Sequence, residues 1–287
     1  MGFEWTVHVY RVLRGRPQFS FNDRPIDLRE IASDPQSALK HAGYSTFVID
    51  VPVSDCRNKL GFAYRPDGVH PLVRTARAYA AGKASCYDGS PLQVFRRHFQ
   101  PTNAAEKYGI YEGASRELLA SLPNGLVHPW EDRSFAKQRQ KAHHSANRDR
   151  VQYGLEQLDD PHATPDAEKG AFEFDRLAQL VDSVREKGYR RTNLPSGDII
   201  GKLLIRPGEG ARYIVFGGRH RAAVLAALGY DRIPLRMRFS KFPTIDDVDE
   251  WPHVRSGLFT RDQAIDIYNR LWDGQPPTGA VPPEWQG

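Results

Sequence analysis

Short apolar runs bounded by turn residues predict the strands of this chain. Residues 46–53 read Thr-Phe-Val-Ile-Asp-Val-Pro-Val, and this nearly continuous apolar run predicts a central strand. In residues 4–13, Trp5, Val7 and Val9 alternate with polar side chains, as expected for a strand with one buried face. Further strands are predicted at residues 198–205, 213–216 and 233–238, with a hairpin turn at residues 207–210.

Capping residues and apolar positions three or four apart predict the helices between these strands. Pro71 is expected at the first position of a helix that ends near Gly82, and Ser90 is expected to cap the next helix. Thr260 and Gln263 have the spacing of a capping box, which predicts a helix through residue 272. The remaining predicted helices lie at residues 102–108, 115–122, 175–186 and 221–228, with one or two short ones, broken at Pro35, within residues 27–40.

A polar stretch at residues 157–170 separates two parts of the chain. Pro161 and Pro165 favour an extended linker there, so we place a domain boundary near residue 165. The predicted fold class is α+β. Residues 1–165 are expected to form a mixed α/β domain, and residues 166–287 a compact α+β domain that ends in a helix and an extended or disordered proline-rich tail.

Composition narrows the function classes that fit this chain. Its 287 residues are 40% hydrophobic and 26% charged, which is typical of a globular protein with a sizeable core. It has no apolar run long enough to span a membrane and no signal-peptide pattern, and its cysteines, Cys56 and Cys86, suit a reducing compartment. We therefore expect a cytoplasmic protein. The net charge of +5 suits a phosphorylated ligand and nucleic acid equally.

A strongly basic stretch covers residues 131–150. A helix here would be basic on nearly every face, and two interpretations stay open: a solvated helix or connector, which is favoured, and a surface for nucleic acid or an acidic ligand. His143 and His144 have no carboxylate or cysteine at ligand spacing, which argues against a zinc site. The other basic residues of the stretch include Lys137, Arg139, Lys141, Arg148 and Arg150.

A pair of glycines lies between a predicted strand and a predicted helix. Gly217 and Gly218 allow a tight turn and the close approach of a ligand, and the helix start offers N–H groups and a positive dipole end. Arg219, His220 and Arg221 add donors, so the segment has the chemistry of a phosphate site. The alternative is a tight turn followed by a solvated basic cap.

Residues 174–238 resemble the ParB/sulfiredoxin superfamily. The resemblance is carried by residues 180–186, Leu-Val-Asp-Ser-Val-Arg-Glu, and by residues 216–221, Phe-Gly-Gly-Arg-His-Arg. Sulfiredoxins have their catalytic cysteine where this chain has Arg219, so their thiol chemistry is not expected. The remaining branches are small-molecule kinases that use ATP, CTP-dependent DNA-partitioning proteins and nucleases. Residues 87–106 loosely resemble uncharacterised bacterial proteins associated with cell-surface polysaccharide genes.

The superfamily resemblance implies a nucleotide site, with ATP and Mg²⁺ as the expected cofactors. Arg219 is expected to stabilise charge at the γ-phosphate, while His220 and Arg221 hold the α- and β-phosphates. Asp198, at the mouth of a strand, is the preferred carboxylate for orienting an acceptor hydroxyl. The other carboxylates considered are Glu173, Asp175 and Asp182, and the further nucleotide contacts are Gly217, Gly218, Arg176, Gln179 and Ser183.

The predicted function is ATP-dependent phosphoryl transfer to a small molecule or sugar, in cell-surface polysaccharide biosynthesis, with residues 1–165 shaping the acceptor pocket. One alternative is a ParB-type DNA-binding nucleotide switch. Residues 246–272 are too short and too interrupted by proline for a convincing helix-turn-helix, so nucleic acid is disfavoured as a partner. The other alternative is a non-catalytic nucleotide-binding scaffold whose N-terminal domain recruits a partner.

Overall fold

The computed structural model describes most of the chain from residue 24 onwards. The predicted strand at residues 4–13 and the predicted domain boundary near residue 165 lie outside the described residues. The described residues are 24–43, 45–123, 125–152, 154–157, 159, 167–191, 197–237 and 243–286.

Six strands in the described part of the chain form one mixed sheet. They are β1 (Ile26–Asp27), β2 (Phe47–Pro52), β3 (Cys56–Arg57), β4 (Ile199–Arg206), β5 (Gly210–Gly217) and β6 (Arg232–Met237). From edge to edge the order is β1, β2, β6, β4, β5, β3, in which the pairs β2–β6 and β4–β5 are antiparallel and the others parallel. Helices pack against this sheet, which confirms the α+β class.

The described residues also form ten α-helices. None of these helices is both long and apolar enough to cross a membrane. They are α1 (Pro35–Ala42), α2 (Pro71–Ala80), α3 (Pro91–His98), α4 (Ala104–Tyr108), α5 (Arg116–Ala120), α6 (Phe135–Gln152), α7 (Ala167–Lys187), α8 (Arg219–Ala227), α9 (Pro252–Arg255) and α10 (Arg261–Asp273). Short 3₁₀ turns occur at Val53–Asp55, Ile245–Glu250 and Pro283–Trp285.

Capping side chains begin several helices at the predicted residues. Pro71 is the first residue of α2, and the Ser90 hydroxyl accepts a hydrogen bond from the Gln93 amide at the start of α3. Thr260 and Gln263 make both hydrogen bonds of the predicted capping box of α10. These local signals therefore predicted the helix starts correctly.

The prediction around Pro35 is wrong. Residues 26–27 form strand β1 rather than helix, and Pro35 begins α1 instead of breaking it. The Asp34 carboxylate caps this helix by accepting a hydrogen bond from the Ser37 amide at 2.9 Å. Proline is tolerated at the first helical position because its missing N–H would have no intrahelical partner there.

Strands from both sides of the predicted boundary share the sheet. β2 pairs with β6 along its whole length, with Phe47 opposite Met237, and β3 pairs with β5, with Cys56 opposite Tyr213. The strands that precede the boundary thus flank those that follow it, and the sheet does not divide there.

Each face of the sheet packs against its own hydrophobic core. The first core, beneath α1, α2, α7 and α8, includes Leu203 and Val215. The second core, beneath α4, α5 and α10, includes Leu204 and Ile214. Successive side chains of a strand alternate between the faces, so β4 and β5 are covered on both sides.

The tail after Asp273 packs against α2 and α3 as an extended strap. The Trp285 ring stacks on Phe95 with ring centroids 6.3 Å apart, and the Arg74 guanidinium lies 4.7 Å from its centroid. Ala280, which lies in the sequence between the end of α10 and Trp285, is completely buried. Of the two predicted states of the tail, the structure has the extended strap.

Candidate functional site

The glycine loop, Gly217 and Gly218, joins β5 to α8. Gly218 has the left-handed backbone conformation, with φ 66° and ψ 27°, and caps the helix that starts at Arg219. A Cβ atom at residue 218 would lie 2.8 Å from the Asp198 carbonyl oxygen and 2.9 Å from the Ile199 Cα. Glycine is therefore required by the backbone of β4, and a branched side chain here would strike that strand instead of a phosphate position.

The first turn of α8 carries the three predicted basic residues. Arg219 is exposed, whereas His220 and Arg221 are half-buried. The first N–H groups of an α-helix have no intrahelical acceptor, so this turn offers donors beside the Arg219 guanidinium. The structure thus brings donors and positive charge together at the end of β5, as the sequence predicts.

His220 is a neutral ring at neutral pH. Burial foremost, and the neighbouring charges of Arg219, Arg176 and Arg221, lower its pKa to about 4, although Glu173 opposes them. Its Nε2 is shielded from solvent and has no hydrogen-bond partner among the described residues. His220 is therefore suited to donating or accepting a hydrogen bond, and not to supplying a positive charge.

Glu173 of α7 lies within electrostatic reach of this turn. Its carboxylate forms an ion pair with Arg96 of α3, with Oε2 2.8 Å from Nη2. Burial would raise the pKa of Glu173, but Arg96 foremost, then His220, Lys169 and Arg219, hold it below its usual value. The half-buried carboxylate is thus ionised beside the loop.

Two half-buried lysines, Lys107 and Lys169, add positive charge around Arg219. Burial foremost, with repulsion from Arg219 and Lys169, lowers the pKa of Lys107 to about 8. Burial also lowers the pKa of Lys169, with Arg96 and Arg219 contributing and Glu173 opposing. Such mutual repulsion between half-buried cations is relieved when an anion binds among them.

A second charged group lies on the second-core side of the loop. The Lys202 ammonium group is 2.7 Å from Glu131 Oε1, and Glu131 also accepts a hydrogen bond from the His128 amide at 3.1 Å. Burial would raise the pKa of Glu131, but His128, Lys202 and Lys59 lower it to about 2. The Lys202 ammonium group is 5.7 Å from the ring centroid of Phe216, which directly precedes the glycine loop, and burial, Lys202 and Arg219 all lower the pKa of Lys59.

Asp198 is part of a buried ion-pair cluster. Its side chain is 2% exposed, with Oδ1 2.6 Å from Arg191 Nε and Oδ2 3.5 Å from Arg236 Nη1. At 2% exposure this carboxylate is inaccessible to an acceptor hydroxyl, whereas the ion-paired Glu173 keeps 24% of its side chain exposed. The prediction of Asp198 as the catalytic carboxylate is corrected on this ground: its role is to neutralise two buried guanidinium groups.

The three predicted nucleotide contacts on α7 differ in their relation to the loop. Arg176 acts electrostatically on His220, whereas Gln179 and Ser183 are exposed further along the helix. The helical rise of about 1.5 Å per residue places Ser183 about 10 Å beyond Arg176 along the axis. Of the other carboxylates, Asp175 is exposed, and exposed Asp182 accepts a hydrogen bond from the Tyr79 hydroxyl at 2.7 Å.

Buried polar groups without partners lie behind the first turn of α8. His70 caps α2, which packs on α8, and neither of its ring nitrogens has a hydrogen-bond partner among the described residues. Its ring lies 4.3 Å, between centroids, from that of Tyr64, whose hydroxyl is likewise unpaired. Burial foremost, with Arg219 and His220, lowers the pKa of His70 to about 3, so this ring is also neutral.

Sequence reasoning missed several of these charged residues. Lys59, Lys107, Glu131 and Lys202 come from four separate segments and belong to no local motif. His128 and Trp130, next to Glu131, are buried. No pattern along the chain marks these residues, because only the packing of distant segments brings them to the loop.

The described residues contain no group of three or more His, Cys, Asp or Glu side chains arranged to hold a metal ion. Comparisons of the chain with protein-family models, with curated proteins and with solved structures gave no match. The functional assignment therefore rests on the side chains around the glycine loop.

Proposed function

We propose that this protein binds the phosphates of ATP at the glycine loop and transfers a phosphoryl group to a small-molecule acceptor. The observation that carries the proposal is the surplus of positive charge around Arg219. Repulsion from Arg219, in addition to burial, lowers the pKa values of half-buried Lys107 and Lys169, while Glu173 is already paired with Arg96. Polyphosphate is the common biological ligand that matches such a site at a helix start.

Four side chains around the glycine loop have separate roles in the proposed phosphoryl transfer. Arg219, exposed at the first turn of α8, stabilises the charge that develops on the transferred group. Neutral His220 donates a hydrogen bond to a phosphate oxygen, and Arg221 binds the phosphates nearer the nucleoside. Glu173 replaces Asp198 as the carboxylate that orients the acceptor hydroxyl, since it is ionised and adjoins Arg219.

The residues at the loop fit the phosphates of a nucleotide, because their charges are mainly positive. Mg²⁺ is bound in such sites largely by phosphate oxygens and water, with one or two carboxylates. The described carboxylates Glu173 and Glu131 are already paired with Arg96 and Lys202, so phosphate oxygens and water would hold most of the ion's coordination sites. When bound, the ion neutralises phosphate charge, while Arg219 and Lys107 complete the charge balance from the protein.

The wider interpretation also forms part of the proposal. Residues 174–238, which contain most of α7 and all of β4, β5, α8 and β6, would correspond to a ParB/sulfiredoxin-like unit. The residues before it supply Arg96, Lys59 and Lys107, which is consistent with a role in shaping the acceptor pocket. A cytoplasmic location and an acceptor from cell-surface polysaccharide synthesis complete this hypothesis.

The experiment that tests the proposal is titration of the full chain with MgATP, MgADP and AMP by isothermal titration calorimetry. Affinity should fall in that order, because the cations around Arg219 bind phosphates and not the base. Arg221→Ala should weaken MgATP binding, and Lys83→Gln, on an exposed turn after α2, should not. Failure of the full chain to bind any of the three ligands would refute the proposal.

The DNA-binding alternative has less support from the described residues. α9 contains four residues, and α10 buries Tyr268 and Trp272 in the second core, so neither presents a free recognition helix. The basic helix α6 remains a surface for phosphate contacts, which would bind nucleic acid weakly and lose affinity as salt rises. A duplex complex that survives about 200 mM salt would favour the alternative.

A further inference from the structure

The half-buried ammonium group of Lys59 has no ion-pair partner in the part of the chain that the structure describes. Among the described residues it makes no hydrogen bond or ion pair, although His128 Nε2 lies 3.3 Å from the backbone carbonyl of the same residue. Burial lowers the pKa of Lys59, Glu131 opposes this, and Lys202, Arg219 and Arg133 lower it further. An unpaired cation in such a position is stabilised when an anion binds to it.

Glu131, whose charge opposes the lowering of the Lys59 pKa, forms no ion pair with Lys59 in the part of the chain that the structure describes. The Glu131 carboxylate is instead paired with Lys202, with Oε1 2.7 Å from Nζ, and accepts a hydrogen bond from the His128 amide. Arg133 donates to the side-chain oxygen of Gln138 at 2.6 Å, which carries no charge. Lys59, Lys202 and Arg133 together therefore keep a positive surplus over Glu131.

The group formed by Glu131 and its neighbouring cations lies on the second-core face of the sheet, whereas Glu173 lies on the first-core face. The Lys202 ammonium group is 5.7 Å from the centroid of the Phe216 ring, and Glu131 follows Trp130 of the second core. Glu173, by contrast, lies on α7, which covers the first core. Arg219 is within electrostatic reach of both groups, so two anions could bind on either side of it.

We propose that Lys59, Lys202 and Arg133 form a second anion subsite, which binds a phosphate or carboxylate group carried by the acceptor itself. The inference rests on the proposed phosphotransferase function and deepens it, since it names the acceptor as an anionic compound. The acceptor would place its anionic group at Lys59 and its reacting hydroxyl between Arg219 and Glu173. The phosphates of ATP would occupy the loop.

The test measures binding of inorganic phosphate to the full chain by calorimetry, with and without a saturating non-hydrolysable MgATP analogue. Phosphate should still bind when the analogue fills the loop. Lys59→Gln should weaken this binding about tenfold or more, because a charge-assisted hydrogen bond is lost. Lys59→Arg should retain it, and the exposed control Lys83→Gln should leave it unchanged.

A second variant distinguishes the loss of a binding charge from a folding defect caused by the Lys59 substitution. Glu131→Gln keeps the shape of the side chain but removes its negative charge, so phosphate should bind about threefold more tightly. A purely structural group would not gain affinity in this way. Thermal unfolding midpoints of all variants are measured alongside, so that only folded proteins are compared.

The outcomes separate this inference from the proposed function. The subsite is refuted if phosphate does not bind while the analogue is bound, or if Lys59→Gln weakens the analogue and phosphate equally. If the analogue does not bind at all but phosphate binding depends on Lys59, the nucleotide proposal falls and the anion subsite stands. If Glu131→Gln weakens phosphate binding, the charge argument is wrong and the subsite is refuted.

Discussion

The Arg96 guanidinium and the Glu173 carboxylate form an ion pair across α3 and α7, with 2.8 Å between Nη2 and Oε2. The pair fixes an ionised carboxylate within reach of His220 and Arg219, at the start of α8. It joins a helix from the first half of the chain to one from the second. This carboxylate is therefore the group proposed to orient the acceptor hydroxyl.

Glu173→Gln should lower the rate of phosphoryl transfer about 10²- to 10⁴-fold, the range for loss of a general base. ATP affinity should stay the same or rise, since a negative charge is removed from a phosphate site. Asp175→Asn, an exposed acid on the same helix, is the matched control. The turnover number and ATP Kd are measured side by side on a panel of anionic acceptors. A loss of ATP affinity as large as the loss of rate would contradict the assigned role.

Arg219→Gln should lower turnover about 10³-fold with little change in ATP affinity, as for a residue that stabilises transition-state charge. It should also raise the pKa of Lys107 above about 8, because Arg219 is the main charge that lowers it after burial. The pKa is followed by NMR of labelled lysine, with Lys107→Gln to assign the signal. An unchanged Lys107 pKa would show that the two side chains do not interact.

Gly218→Ala should destabilise the protein more than Gly208→Ala. Both residues have positive φ, 66° and 82°, so each alanine costs about 1 to 2 kcal/mol of unfolding free energy from the left-handed backbone. Only at Gly218 would the new methyl group also strike the β4 backbone, which adds about 1 to 3 kcal/mol. Urea unfolding of the two variants measures the difference, and equal losses would contradict the close contact with β4.

Asp198→Asn should cost about 3 to 5 kcal/mol of unfolding free energy, because it removes the buried negative charge that faces the guanidinium groups of Arg191 and Arg236. Asp182→Asn, at an exposed carboxylate bonded to Tyr79, should cost less than about 1 kcal/mol. Chemical denaturation gives both values. Turnover per folded molecule should survive in Asp198→Asn. A catalytic loss without loss of stability would restore Asp198 as the acceptor-orienting group.

Stability should fall as the pH falls from about 6.5 to about 4. Burial lowers the pKa of His220 and His128 to about 4 and of His70 to about 3, so below the unfolded value of about 6.5 only the unfolded chain binds these protons. Above that value these histidines are neutral in both the folded and the unfolded state, so they make no contribution to the pH dependence of stability.

His70→Gln should therefore reduce this slope by about 1.4 kcal/mol per pH unit, the effect of one proton. Substitution of exposed His41 is the control and should leave the slope unchanged. Urea unfolding between pH 5.5 and 7.5 measures it, a window that lies above the pKa of Glu131 in the folded state, about 2, and above the value of about 4.3 for glutamate in an unfolded chain. An unaltered slope in His70→Gln would mean that this ring is protonated in the folded state.

The sequence predicted the elements that carry the loop because their signals are local. The apolar run before Gly217, the Gly-Gly pair and the alanine-rich helix after it specify a strand, a turn and a helix within residues 210–227. Capping by Ser90 and Thr260 was predicted for the same reason, since a cap is a hydrogen bond within one helical turn. The sequence also indicated which backbone and basic groups would meet at the end of β5.

The tertiary structure decided which charges surround that loop. Asp198 was a plausible base by its position in the sequence, but its burial beside Arg191 and Arg236 makes it a structural counter-ion. The Glu173 carboxylate is held by its ion pair with Arg96, which is 77 residues away in the sequence. The strength of an electrostatic interaction depends on the distance between the charges and on their burial. Both are determined here by tertiary contacts, such as the pairing of β2 and β3 with strands from the second half of the chain. The spacing of residues along the chain encodes neither the distance nor the burial.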